Sequence, residues 1–374
     1  MAAPTAAAPT QQQQQQQQQQ LMMQDAQLAM NVLQTATRYY SRGQSANAPL
    51  GQQITLSMPT AGIMTGVDLH ITCLLDITAT ATGNPVGAAG LITGLTTTDW
   101  YGNTRTNTSG SRMQSINGYH QGRPYNKVPT SFSQDSAGLL YDLPTAISST
   151  GSIDFWLHVP FAAAPNSLVG ALLTQTSNGT CQVNLQTIAD LVSSTNPLAP
   201  YSAGTLSAGN VYVTPYWSFL MPVSFAPATL PTISLSTAYS LQDIQTPQNL
   251  SVGVDNLTNF PAARVIHSQL LDYVNGSQMN FGSDLNNLAI IINGATPIRF
   301  WVPEAKLVHQ RNLLGADDIP GRYYFPYTSD PINTQVFGSY QIQINPSLVN
   351  SGAALVATSE MTYAMGVPLP GLSV

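Results

Sequence analysis

LAIIINGATPIRFWVPEAKLVHQRNLLGADDIPGRYYFPYTSDP, Leu288 to Pro331, decides how this chain is read. Leu288–Ile292 is a short, apolar, β-branched run ended by Asn293-Gly294, so it reads as a strand stopped by a turn. Ile298–Val302 is a second short β-prone piece. Pro303 suits the first turn of a helix, where its missing N–H costs nothing. Glu304 stands near the positive end of that helix, and Gly315 can close it with a positive φ. Leu307, Val308 and Leu314 give the predicted helix an apolar side; Lys306, His309 and Arg311 give it a wet one. Eight charged side chains lie between Arg299 and Asp330, in a chain with only 11 Lys and Arg and 17 Asp and Glu. That concentration points to a clamp between subunits or domains, or to one solvated crossover helix on a β domain.

Working outward, 374 residues suggest two or more domains. Charged residues make up 7 %, against about 25 % in an ordinary soluble domain, while hydrophobic content is 43 %. Ser, Thr, Asn, Gln, Gly and Pro fill the gap, the palette of short strands joined by many turns. A net charge of −6 repels other copies weakly and suits self-packing. It does not suit nucleic acid, which needs a basic face. Cys73 and Cys181 fall on the apolar sides of predicted strands and read as buried free thiols. No run approaches the ~20 apolar residues of a membrane span, and the N-terminus does not read as a secretion signal.

Met1–Gln20 is low complexity, ending in ten glutamines, and is expected to be mobile. Leu21, Asp25, Leu28, Val32, Ala36 and Tyr39 then recur at helical spacing, with Asp25 breaking the stripe. They predict an amphipathic helix over Leu21–Tyr40, which needs a surface to lie on. Val67–Thr78 alternates: Val67, Leu69, Ile71, Cys73, Leu75 and Ile77 point one way. Further strands are expected at Leu91–Leu95, Ile153–Phe161, Cys181–Leu185 and Val211–Phe219, with a short helix around Ser111–Tyr119. Met221–Pro231 reads as a linker. The second half repeats the plan, with strands at Thr232–Leu235, Val265–Tyr273, Leu288–Ile292, Thr334–Ile344 and Leu355–Met365. Gly122-Arg123 and Gly321-Arg322 mark corresponding points in the halves.

Chemistry is sparse. The histidines at 70, 120, 158, 267 and 309 have no metal-ligand spacing. Asp317-Asp318, the one adjacent acidic pair, reads as a turn or salt bridge. There is no nucleophile elbow and no phosphate loop. No catalytic residue, cofactor or metal is expected. Trp100, Trp156, Trp217 and Trp301 could form a sugar platform but more often such residues fill a core. A carbohydrate-binding β protein and a β-sandwich hydrolase are the rival readings.

Several stretches carry a resemblance: AGIMTGVDLHIT (61–72), DWYGNTRTNTSGS through GYHQGRPYNKVP (99–129), FWLHVPFAAAPNSLVGALL (155–173), LSTAYSLQD (235–243), NFGSDLNNL (280–288) and the opening stretch, with VFGSYQIQINPSLVN after it. In order and spacing, from roughly Gly62 to Gly366, the chain resembles tectivirus-type major capsid proteins. The resemblance implies an all-β fold of two side-by-side eight-stranded jelly rolls, with an N-terminal helix and short loop helices. It implies an arm over 1–50, barrels over 51–228 and 229–366, and a tail over 367–374. It further implies a homotrimer with a pseudo-hexagonal footprint, tiling an icosahedral shell with neighbouring capsomers. An internal membrane lies beneath, and vertex and minor capsid proteins are partners; no sequence-specific nucleic acid is. The chain would be a virion component assembled in the host bacterial cytoplasm. By that similarity Leu21, Leu28, Val32, Tyr39 and Arg42 serve the capsomer-linking arm helix. Trp301, Glu304, Lys306, Arg311 and Arg322 are interface or structural residues of the second-barrel helix region.

Overall fold

The structure, a computed structural model, describes residues 11–121, 143–174, 181–223, 230–245, 250–253, 256–260, 264–276, 278–279, 284–294, 299–301, 303–314, 319, 321–327, 331–337 and 339–365. After helix α1 (Gln11–Thr35), the first half runs β1 (Thr37–Arg42), β2 (Gln53–Ser57), β3 (Ile63–Gly83), β4 (Ile92–Thr98), β5 (Thr104–Thr108), helix α2 (Gly110–Gln121), β6 (Ser148–Pro160), β7 (Gln182–Thr187) and β8 (Tyr201–Met221). A short helix α3 (Thr232–Ser236) leads to the second half. There follow β9 (Thr237–Gln245), β10 (Asn256–Asn259), β11 (Val265–Asn275), β12 (Leu285–Ile292), β13 (Arg299–Trp301), helix α4 (Pro303–Leu314), β14 (Arg322–Pro326), β15 (Tyr340–Pro346) and β16 (Ala354–Ala364). Shorter pairings at Ala46–Ala48, Leu172–Leu173, Gln278–Met279 and Ile332–Asn333 extend the edges.

The halves follow one wiring diagram. In the first, hydrogen bonding orders the strands β1-β8-β3-β6 and β2-β7-β4-β5; in the second, β9-β16-β11-β14 and β10-β15-β12-β13. Each strand of the second half takes the place of its counterpart eight strands earlier, and α4 takes the place of α2. Each half closes its two sheets over its own apolar cluster. In β3, alternation supplies Val67, Leu69, Ile71, Cys73, Leu75 and Ile77, none more than 2 % exposed. Tyr273, Leu288, Ile290, Tyr323, Phe325, Ile342, Ile344 and Leu355 fill the second cluster. The halves are joined edge to edge: β5 pairs in parallel with β9, Leu241 opposite Thr106 and Gln242 opposite Asn107.

The strand expected at Leu288–Ile292 ends as predicted, with Asn293 and Gly294 at φ 57° and 63°. Four expectations are corrected. The first helix runs Gln11–Thr35, so it begins inside the glutamine tract, which is helical in the structure, and stops before Tyr39 and Arg42. Those two belong to β1, where Thr37 to Arg42 finds a ladder against Met221 to Tyr216; a strand pairing overrides helical spacing here. Thr232–Leu235 is helical, and the strand follows it from Thr237. The strand expected from Thr334 starts at Tyr340. In α4, Leu314 is buried and His309 and Arg311 are exposed as predicted, but Lys306 is buried and Val308 exposed, the reverse of the prediction for those two. The inward face carries Lys306, Gln310 and Leu314 at four-residue spacing. Lys306 lays its Nζ over the Phe325 ring, 4.5 Å from the centroid. Gly122-Arg123 and Asp317-Asp318 lie outside the described residues.

Candidate functional site

Among the described residues, Arg112, Asp243, Asp272, Arg322 and Glu360 bring charge together between the two halves. Helix α2 is buried along Gly110 to Gly118 because it is covered on both sides. Met113 and Ile116 enter the first apolar cluster. Ser111, Arg112, Ser115 and Tyr119 face the second half, on the sheet β9-β16-β11-β14. Arg112 reaches Asp243 of β9 (Nη1–Oδ2 2.6 Å) and Asp272 of β11 (Nε–Oδ2 2.8 Å). Arg322 of β14 grips the same Asp272 with Nε and Nη2, at 2.6 and 2.8 Å, and donates from Nη1 to the Ser111 carbonyl and Ser115 Oγ. Thr358 of β16 donates to Asp243 Oδ1 at 2.6 Å. All four strands of the receiving sheet therefore contribute. Asp272 and Arg322 are wholly buried. Burial alone would raise the Asp272 carboxyl; Arg322 and Arg112 outweigh it and hold it below the usual carboxylate range.

At the far end of α2, His120 Nε2 meets Glu360 Oε2 of β16 at 3.0 Å. Tyr239 donates to Glu360 Oε1 (2.7 Å) and Ser268 to Oε2 (2.6 Å). Burial raises the Glu360 carboxyl, but His120 and the hydroxyl donors bring it below its ordinary value. The Tyr119 ring stacks on Tyr324 with centroids 4.0 Å apart. Gln310 of α4 donates to Tyr119 Oη (2.8 Å) and to the Arg322 carbonyl (3.0 Å), and accepts from the Tyr324 N–H.

The corresponding sheet face of the first half, β1-β8-β3-β6, is open. Tyr40 donates to Asp68, which also holds His158 Nδ1 at 2.6 Å. His70 bonds Asp154 at 2.9 Å and stacks on Trp156, which in turn touches Tyr216. A cavity of about 410 Å³ lies between this face, Arg38 and the end of α2; its lining includes Asp68, His120, His158 and Tyr239. No group of three or more His, Cys, Asp and Glu residues fit to hold a metal occurs among the described residues.

The residues singled out from sequence fall in different places. Val32 is buried, with the partly buried Ala29, Leu33 and Ala36 beside it, against Ile63, Leu173 and Leu220 of the first half and Leu235 of α3. Leu21 and Leu28 are exposed. Asp25, which broke the predicted stripe, is buried and accepts from the Ser234 N–H and Oγ of α3 at 3.0 and 2.9 Å. Arg311 faces solvent on α4. Trp301 stands in β13 opposite Leu288, and Glu304 in the first turn of α4; their side chains lie outside the described residues. Trp217 is fully buried in the first cluster, so it is no sugar platform. The seam residues Arg112, Asp243, Asp272 and Glu360 were not anticipated. A readable signal was Asp272 inside the otherwise apolar LLDYV of β11, a charge no strand buries without a counter-ion.

Two packed, like-wired β barrels joined side by side form a double jelly-roll. The major capsid protein of STIV, Sulfolobus turreted icosahedral virus, shares this fold with a TM-score of 0.66 and 11% identity, over 88% of this chain and 97% of that one. The major capsid protein P2 of bacteriophage PM2 aligns with a TM-score of 0.51 and 10% identity, over 87% and 97%. The PBCV-1 virus capsid protein aligns at 0.53 and 9% identity, over 88% and 95%. No curated protein sequence matches the chain. Residues 236–367 match the family P3 major capsid protein C-terminal. The fold over the chain's length is thus the double jelly-roll of these capsid proteins, and its second half carries the match to the P3 major capsid protein C-terminal family.

Proposed function

We propose that three copies of this chain join head to tail into a pseudo-hexagonal capsomer, and that capsomers tile an icosahedral shell. The observation that carries the reading is the repeat. Inside one chain, α2 and the β5 edge of the first barrel dock on the β9-β16-β11-β14 face of the second. The equivalent donor parts are α4 and the β13 edge of the second barrel. On α4, Val308 is 58 % exposed. The equivalent receiver, the β1-β8-β3-β6 face, carries Tyr40, Asp68, His70 and Trp156 on its open side. A heterologous contact of this kind makes a ring when its rotation closes. Near-equal barrels alternating around such a ring would close with three copies.

The barrels are taken as 51–228 and 229–366, with an arm before and a tail after. The exposed Leu21, Met22, Met23 and Met30 on α1 support a linking role for the arm, toward a neighbouring capsomer or an internal membrane. The protein acts by assembly and performs no catalysis, as a virion component built in a bacterial host of a tectivirus-type phage, beside vertex and minor capsid proteins. Light scattering of the purified chain at low and high salt tests the capsomer. A mass three times 39.8 kDa that survives high salt supports it; a stable monomer at high protein concentration overturns it.

A further inference from the structure

We propose that His120 and Glu360 form a proton-controlled clasp at one end of the barrel–barrel seam, closed near neutral pH and released when the imidazole gives up its proton. The inference rests on the seam geometry within one chain, not on the assembly reading. The other end of α2 is fastened by Arg112 and Arg322 on Asp272, and guanidinium groups do not titrate in the accessible range. His120 is, among the described residues, the one histidine bonded to a carboxylate of the other barrel. Its side chain is 34 % exposed and lines the cavity, so a proton can reach it; Glu360 behind it is 5 % exposed.

Among the described residues, every strand of the receiving sheet presents a group to the pair. Glu360 comes from β16, Tyr239 from β9, Ser268 from β11 and Tyr324 from β14. Across the cavity stand Arg38, Asp68 and His158. Of these, Glu360 alone is ion-paired with His120. His267 also feels Glu360, but burial holds its imidazole below the ordinary histidine value, so it is neutral where His120 is charged and does not stand in for it. Burial opposes the His120 cation too; the Glu360 carboxylate outweighs burial and raises it.

The signs are then fixed. A raised histidine gives its full contribution below the ordinary histidine value and loses it as pH rises through the raised one. The lowered Glu360 contributes above the ordinary glutamate value and loses that contribution as pH falls through the lowered one. Between the two the clasp is shut. Above it, Glu360 keeps a buried charge answered by two hydroxyls, and the last turn of α2 with Tyr119 is freed to leave Tyr324.

Amide hydrogen exchange on the full chain at about pH 6 and about pH 9, corrected for intrinsic rates, tests this. Residues 117–121 should exchange at least about fivefold faster at the higher pH while residues 110–115 and β3 stay constant. His120→Gln and Glu360→Gln should each exchange fast at both values, and either variant suffices if the other fails to fold. Equal corrected rates in the wild-type chain, or a pH response that survives in the variants, would overturn the proposal.

Discussion

The two like-wired barrels present the same sheet face under opposite conditions. On the second barrel the face is covered by α2, and its charges are guanidinium–carboxylate pairs: Arg112 with Asp243 and Asp272, Arg322 with Asp272. On the first it is open, and its charges are imidazole–carboxylate pairs: His158 with Asp68, His70 with Asp154. The guanidinium pairs of the seam carry ions that do not change state; the imidazole pairs, on the open face and at the His120 end of the seam, carry ions that can. A buried guanidinium can satisfy several acceptors at once, whereas an imidazole offers two nitrogens and a proton near neutrality.

The largest effect should come from Asp272→Ala. It strips one carboxylate from two buried arginines, and Arg112 keeps only Asp243. Breaking a buried pair costs about 3–5 kcal/mol, because the remaining charge is uncompensated. Denaturant unfolding should show that loss, or a seam that separates before the barrels unfold. A cost under about 1 kcal/mol would mean that water reaches the pair.

Next comes the exposed Val308 of α4. Val308→Asp should leave unfolding within about 0.5 kcal/mol, since that side chain faces solvent. The same variant should weaken association by tenfold or more in sedimentation, if α4 is the docking counterpart of α2. Unaltered association would place the copy-to-copy contact elsewhere and break the equivalence of the two faces.

Much of the architecture was legible because sheets announce themselves by alternation. Val67 to Ile77 and Ile153 to Val159 read directly as half-buried strands, and Pro303 to Leu314 as a helix with its stop signals. The failures share a cause. Thr37–Arg42 has helical spacing with what precedes it, yet the free ladder of β8 captures it. Lys306 reads as solvated, yet a Phe325 face and a polar seam make the interior hospitable to it. The seam was invisible for the same reason: Arg112 and Asp272 are 160 residues apart, and only tertiary structure brings them to 2.8 Å. What sequence did offer was scarcity. In a chain with so few charges, eight are buried among the described residues, and each buried charge implies a fixed counter-group somewhere in the fold.

A buried thiol sharpens the contrast between inside and outside. Burial pushes Cys73 and Cys181 up to about 11, so neither should react with a thiol reagent in the folded chain at neutral pH. Both should react in denaturant. Fast labelling of Cys73 alone in native buffer would mean that the first barrel opens locally along β3.

The smallest effect concerns the open face itself. Tyr40 of β1 donates to Asp68, and Asp68 holds His158. Burial would raise the Asp68 carboxyl, but His158 and then Tyr40 outweigh it, so its pKa lies below the ordinary value. A lowered carboxyl stabilises above its ordinary value and loses that contribution as pH falls through the lowered one. The contact between β1 and β3 should therefore weaken in acid and not in base, opposite to the alkaline release of His120. Tyr40→Phe removes one donor to a half-exposed carboxylate, worth about 0.5–1 kcal/mol after solvent screening. Amide exchange across residues 37–42 should quicken modestly in the variant at neutral pH and converge with wild type in acid, where the carboxylate is protonated in both. A β1 that loosens in base and not in acid would mean that Asp68 does not control the strand.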